Sequence, residues 1–148
     1  MDAALSFELV QDCDFDAMAD LRALAMRPSL ERLDHYDPQR SRRRLRAGFV
    51  PERMRWICLD GGRIGFYSLF REDAAWRLDH LYLHPCMQGR GVGSAVMRRL
   101  CAQTQDAPMR VTALRESESN AFYQRHGFVR NGESQWDIEY ERPAGPAA

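Results

Sequence analysis

Residues Gln88-Gly89-Arg90-Gly91-Val92-Gly93-Ser94 place three glycines within five positions, immediately before a stretch with a regular apolar repeat. Val92, Val96 and Leu100, and likewise Gly93, Met97 and Cys101, recur every four residues, which lines up one face of a helix. Arg98, Arg99 and Gln103 fall on the other face. A glycine-rich turn that opens onto a helix N-terminus presents unpaired N–H groups and the positive pole of the helix dipole, a seat for a phosphate. The competing reading is a tight loop with no ligand. Two familiar nucleotide motifs fail here. A Walker-type loop ends in Gly-Lys-Ser/Thr, and the chain contains no lysine. A dinucleotide fingerprint needs Gly-x-Gly-x-x-Gly after the first strand of a βαβ unit. Here the glycines stand at 89, 91 and 93, in mid-chain, behind strands that read as antiparallel.

The pattern Gln/Arg-x-x-Gly-x-Gly/Ala does fit, through Gln88, Gly91 and Gly93. Downstream, Met109 to Leu114 reads as a strand, followed by Asn120-Ala121-Phe122-Tyr123-Gln124-Arg125-His126-Gly127-Phe128. The two motifs, in this order and one helix and one strand apart, resemble those of the GNAT N-acetyltransferase superfamily. The resemblance covers nearly the whole chain. It implies that acetyl-coenzyme A is the co-substrate and that its pyrophosphate sits over the amides of Gly89, Arg90, Gly91, Val92, Gly93 and Ser94. Gln88 belongs to the same turn, and Arg90 adds charge. It also implies that backbone groups of Leu81, Tyr82 and Leu83 pair with the pantetheine arm and polarise the acetyl carbonyl. Asn120 matches a residue that hydrogen-bonds the coenzyme, with a helix-start cap as the alternative. Tyr123 matches the tyrosine that protonates the leaving thiolate, with a core-filling ring as the alternative.

Acetyl transfer from a thioester to an amine needs a neutral amine, a polarised carbonyl and a protonated leaving group, but no metal. A phenol of pKa ~10 is matched to a departing thiolate once the two are positioned. In histone and serotonin acetyltransferases of this superfamily the base lies on the strand before the glycine turn, at positions that fall on 77 and 79. Arg77 cannot serve, because it stays charged. Asp79 can, directly or through water, unless an ion pair with Arg77 holds it. His80 points to the opposite face by strict alternation, and a strand bulge would reverse that. Water alone suffices for many members.

The expected activity is acetyl-coenzyme A-dependent N-acetylation of a primary amine on a small molecule or amino acid, by direct attack in a ternary complex. A protein or peptide N-terminus is the alternative acceptor. A coenzyme-binding module without turnover is the rival from another class.

Composition is consistent with this. The 148 residues carry 21 basic and 21 acidic side chains, so no net field draws in nucleic acid or a membrane surface. Every basic residue is arginine, which leaves no lysine for Schiff-base or general-base work. No apolar run approaches the ~18 residues of a membrane span. The short acidic N-terminus does not read as a signal peptide, so a cytoplasmic protein is expected. Cys13, Cys58, Cys86 and Cys101 have no metal-binding spacing and read as reduced, mostly buried thiols.

The elements expected to hold these residues form one α/β (α+β) domain over residues 1–142, with a Pro/Ala tail at 143–148 that has nothing to pack. It is a mixed, mostly antiparallel sheet of six to seven strands flanked by about four helices. Leu5 to Val10 reads as a strand. Asp12 or Asp14 caps a helix to about Met26, ended or kinked at Arg27-Pro28-Ser29, and a second short helix begins at Ser29. Asp37-Pro38 starts another, to about Arg46. In the superfamily the loop between the first two helices walls the acceptor pocket, so Arg27, Glu31, His35 and Tyr36 are the expected acceptor contacts. Met54–Asp60 and Arg63–Phe70 form a hairpin around Gly61-Gly62. Phe128 to Glu141 closes the sheet with a hairpin about Gly132. Its Trp136, Ile138 and Tyr140 offer an apolar face to a homodimer partner, dimers being common in the superfamily.

Overall fold

The computed structural model describes residues 4–33 and 37–146. His35 and Tyr36, two of the expected acceptor contacts, lie outside the described residues. Among the described residues, seven strands follow the hydrogen-bonded order β1-β2-β3-β4-β5-β7-β6. With four α-helices, this is the mixed, mostly antiparallel architecture expected. The residues group into two compact units, Met1–Ser68 with His80–Arg90, and Leu69–Asp79 with Gly91–Ala148.

In the first unit, β1 (Leu5–Leu9) pairs antiparallel with β2 (Met54–Leu59), and β2 with β3 (Gly62–Glu72). The β2–β3 turn lies at Asp60-Gly61, one residue earlier than the diglycine suggests. Asp60 (φ 51°) and Gly61 (φ 85°) both adopt the left-handed conformation that a type I′ turn demands, so Gly62 is left to begin β3. Helix α1 (Phe15–Arg32) buries Phe15, Met18, Ala19, Leu21 and Leu30. α1 does not end at Pro28 but runs through it to Arg32, so the separate helix expected from Ser29 is its continuation. The missing amide costs one backbone hydrogen bond. Burial of Leu30 beyond the proline and the Arg27–Glu31 ion pair spanning it offset that loss. Asp14 precedes α1 but its side chain does not cap it. Its carboxylate accepts instead from the Gln11 amide, the Trp56 indole and Arg63. Helix α2 (Pro38–Ala47) is capped as expected, with Asp37 accepting from the amides of Gln39 and Arg40. Phe15, Met18, Leu45, Met54, Trp56 and Phe66 form the core of this unit, with Tyr82 packed against it.

In the second unit, the Ala75–Asp79 part of β4 (Ala75–Leu83) pairs parallel with β5 (Met109–Leu114) at Trp76↔Met109 and Arg77↔Arg110. The connection between them is α3 (Val92–Gln103), which buries Val96, Met97, Leu100 and Cys101, the stripe read from the sequence. β5 pairs antiparallel with β7 (Asp137–Arg142), and β7 with β6 (Val129–Glu133). Gly132 lies within β6, at an irregularity between Arg130 and Gly132, rather than at the turn. The turn falls near Ser134, whose amide donates to the Asp137 carbonyl. Helix α4 (Ser119–Arg125) ends at Gly127 (φ 86°), and the Phe128 amide returns to the Tyr123 carbonyl.

Three further expectations are corrected. Ile138 and Tyr140 are buried, so the closing hairpin offers no apolar face through them. Only Cys58 and Cys101 are buried, whereas Cys13 and Cys86 are exposed. The tail is anchored, because the Gly145 amide donates to the Gln105 carbonyl and Arg142 donates to the Pro146 carbonyl. Among the described residues no helix is long and apolar enough to cross a membrane.

Candidate active site

The glycine turn begins where β4 ends. His84 caps a short 3-10 turn over Pro85–Met87 by accepting from the Cys86 amide. Gln88 folds back so that its side-chain amide donates to the Leu83 carbonyl at 3.2 Å. Gly89 (φ 76°) and Gly91 (φ 78°) are both left-handed, and Gly91 is the residue that enters α3. A Cβ at either glycine would meet nothing within 4 Å, so it is backbone conformation that calls for glycine. No side chain caps α3 at its N-terminus. The first amides of the helix are therefore left for an anion.

The three residues before the turn, Leu81, Tyr82 and Leu83, lie half-buried at the end of β4. A close approach to β3 holds this stretch: a Cβ on Gly65 would stand 2.2 Å from the Tyr82 carbonyl oxygen and 3.1 Å from Leu83 Cα. The His84 amide donates to the Ile64 carbonyl. Because Gln88 occupies the Leu83 carbonyl, that group is engaged within the chain. The sequence carries a signal for Gly65 that motif reading passes over, namely a lone glycine inside an apolar strand.

Strict alternation along β4 places Arg77 and Asp79 on one face and His80 and Tyr82 on the other. Asp79 is exposed and lies 3.9 Å from the Arg77 guanidinium, the ion pair weighed against its role as base. Arg77 also donates to Thr112 Oγ1 at 2.7 Å, and Thr112 donates to Glu139 at 2.9 Å. His80 is buried, with Nδ1 3.4 Å from the Tyr82 hydroxyl. That hydroxyl accepts from Arg22 Nε at 3.2 Å.

On α4, Tyr123 is 6% exposed. Its ring contacts Phe122, Phe128 and Tyr140. Asn120, one turn before it, donates to the carbonyls of Leu114 and Ser117 and accepts from the Tyr140 hydroxyl at 2.9 Å. Both of its N–H donors and one of the two acceptor sites of its oxygen are thus engaged in tying the β5–α4 connection together. A contact that motif reading missed joins the two motifs: His126 Nε2 lies 3.0 Å from Ser94 Oγ, in the first turn of α3. Burial, followed by the charges of Arg98, Arg125 and Arg142, pushes the His126 pKa below its ordinary value. In the neutral form that this shift favours, Nε2 either accepts from the serine hydroxyl or donates to it, according to tautomer.

Of the expected acceptor contacts, Arg27 and Glu31 pair with each other on the exposed side of α1. Among the described residues no cluster of three or more His, Cys, Asp or Glu is placed to hold a metal.

Residues 51–130 match the family model described as an acetyltransferase (GNAT) domain. The chain is similar in fold to PaiA N-acetyltransferase from Thermoplasma acidophilum, solved with coenzyme A. The TM-score is 0.73 at 14% identity, with 95% of this chain and 99% of that one covered. An acetyltransferase from Thermus thermophilus gives a TM-score of 0.73 at 20% identity, over 95% and 97%. The ribosomal-protein-S18-alanine N-acetyltransferase from Escherichia coli gives 0.72 at 16% identity, over 98% and 97%. No curated protein sequence matches the chain.

Proposed function

From the chain's membership of the GNAT acetyltransferase family, which makes it an N-acetyltransferase using acetyl-coenzyme A, we propose that its acceptor is a primary amine on a small molecule or amino acid. The reaction is direct attack in a ternary complex. The observation that carries the coenzyme half of the reading is the turn itself: Gly89 and Gly91 in left-handed conformation, leading into an α3 N-terminus that no side chain caps. The pyrophosphate occupies the amides from Gly89 to Ser94, with Arg90 at the exposed edge. The arm of the coenzyme runs beside Leu81, Tyr82 and Leu83, where the engaged Leu83 carbonyl leaves the other backbone groups to do the pairing.

In the reaction the neutral amine nitrogen attacks the acetyl carbonyl carbon, a C–N bond forms and the C–S bond breaks. The nitrogen's proton leaves through water to Asp79, whose exposure supports that path. The departing thiolate takes a proton from the Tyr123 phenol. Asn120 acts by holding the start of α4, and the engagement of both its N–H donors within the chain supports that role over donating to the coenzyme. Residues 1–142 act as one catalytic domain: the family match at 51–130 draws on both compact units. Four free thiols, two of them exposed, fit a reducing compartment such as the cytoplasm.

The test is release of free thiol from acetyl-coenzyme A against a panel of amines, amino acids and short peptides. Tyr123→Phe is run beside the wild type. Turnover of small amines, with the variant slowed by about 10-fold or more, is the expected result. Turnover of peptides alone would replace the acceptor class, and tight coenzyme binding without any turnover would favour a binding module.

A further inference from the structure

Arg22 lies on α1 with only 4% of its surface exposed. Its guanidinium donates from Nε to the Tyr82 hydroxyl at 3.2 Å. From Nη1 it donates to the Ser41 carbonyl at 3.0 Å and to Ser41 Oγ at 2.6 Å. All three acceptors are neutral. Among the described residues no carboxylate pairs with it, and Nη2, with its two N–H donors, has no acceptor. No fully buried side-chain nitrogen or oxygen is left unsatisfied among the described residues, so Nη2 must reach solvent. The result is a charge held almost entirely inside the protein, oriented by two elements besides its own, with one edge open.

A buried charge without a counter-ion is costly, and such groups are ordinarily paired. Nothing in the packing of α1 demands arginine here. The position lies beside the apolar stripe of Met18 and Leu21, which a leucine would extend, at the cost of the donor that Ser41 and the Tyr82 hydroxyl share. α2 carries Arg40, Arg42, Arg43, Arg44 and Arg46 with no acid in the helix, and among the described residues only Arg42 of these meets one, Asp16. Tyr82, which orients the guanidinium, belongs to the strand end assigned above to the coenzyme's acyl arm.

The geometry points to Arg22 as the anchor for a carboxylate carried by the acceptor, so that the preferred acceptors are amino acids or other amines bearing an acid group. This rests on the acetyltransfer reading above and narrows its acceptor class. The carboxylate supplies the missing counter-charge at Nη2, and a charge-assisted hydrogen bond there fixes the acceptor with its amine held away from the arginine.

The experiment uses the full chain and two matched acceptor series, free α-amino acids and the same residues as carboxamides. Thiol release is measured with wild type, Arg22→Gln and Arg22→Lys, coenzyme affinity by calorimetry, and folding by thermal melts. The wild type is expected to favour the free acids by about 10- to 100-fold in kcat/KM, the worth of one charge-assisted hydrogen bond. Arg22→Gln is expected to lose that preference through KM with coenzyme affinity unchanged, and Arg22→Lys to recover part of it. Equal rates on acids and carboxamides by the wild type would overturn the inference while leaving the acetyltransfer reading intact. That ratio decides the matter even if Arg22→Gln does not fold. Equal losses on both series in a folded Arg22→Gln would also overturn it. No turnover of either series would overturn the inference, and turnover of amines without an acid group in the same assay would leave the acetyltransfer reading standing.

Discussion

At the scale of the residue, the contact between His126 and Ser94 couples two motifs that lie 32 positions apart. The imidazole is half-buried and faces Arg98, Arg125 and Arg142, so its folded pKa lies below the ordinary 6.5. As pH falls through ~6.5 the unfolded chain takes up this proton before the folded one does, and stability declines from there down to the folded pKa. His126→Gln keeps a hydrogen-bonding group near Ser94 but cannot titrate. Denaturant melts at pH 7.5 and 5.5 should show a smaller loss on acidification for the variant than for the wild type. Equal losses would mean that His126 does not carry this dependence. Tyr123 is another matter of residue chemistry, because its ring is buried among aromatic neighbours. Only the Tyr123→Phe rate separates a proton donor from a packing ring, since the two share every carbon.

At the scale of the element, the end of β4 is shaped from beneath by β3. The Cβ of an alanine at 65 would collide with backbone atoms, the Tyr82 carbonyl oxygen and Leu83 Cα, which cannot swing aside as a side-chain tip can. Gly65→Ala should therefore destabilise the protein by about 1–3 kcal/mol, as overpacking does. It should also raise KM for acetyl-coenzyme A by displacing Leu81 to Leu83. Gly62→Ala is the control on the same strand, because its Cβ would find only the Leu59 carbonyl at 3.6 Å. If melts and KM values of the two variants coincide, the close approach at Gly65 has no functional weight. The helices add a contrast. Asp37 caps α2 through two amides, as its sequence promises, while Asp14 gives up the cap of α1 for Gln11, Trp56 and Arg63. A proline inside α1 and an αL glycine before α3 obey the same accounting of backbone donors with opposite outcomes.

At the scale of the whole molecule, the family places acetyl-coenzyme A on a protein whose 21 arginines balance 21 acids. Affinity for the coenzyme must then come from the local turn rather than from net charge. A ligand that binds only the folded state stabilises it by about 2.7 kcal/mol at a hundredfold excess over Kd. For a chain of this size, that is a rise in Tm of several degrees. Thermal melts with and without coenzyme A should show such a rise, and an unchanged Tm at saturating coenzyme would contradict the phosphate seat at the turn.

Much of this was legible without a fold. The glycine turn, the buried stripe of α3, the β5 segment and the spacing from Asn120 to Phe128 are local patterns. Helix period and glycine conformation act over a few residues, so the sequence alone determined them and, through them, the family resemblance. Where each hydrogen bond goes was decided only by the tertiary structure. Asn120 is spent on Leu114, Ser117 and Tyr140, and the Leu83 carbonyl on Gln88. The hairpin turns moved off Gly62 and Gly132: the first sits on left-handed Asp60 and Gly61, and the second lies beyond the β6 irregularity at Arg130 to Gly132, so strand pairing outweighs the preference of a single glycine. Arg22 meets Tyr82 across 60 residues, a partnership no spacing rule can reach. Periodicity reports which face of an element is buried. What a buried polar group pairs with depends on elements remote in the chain, and those meet only when the chain has folded.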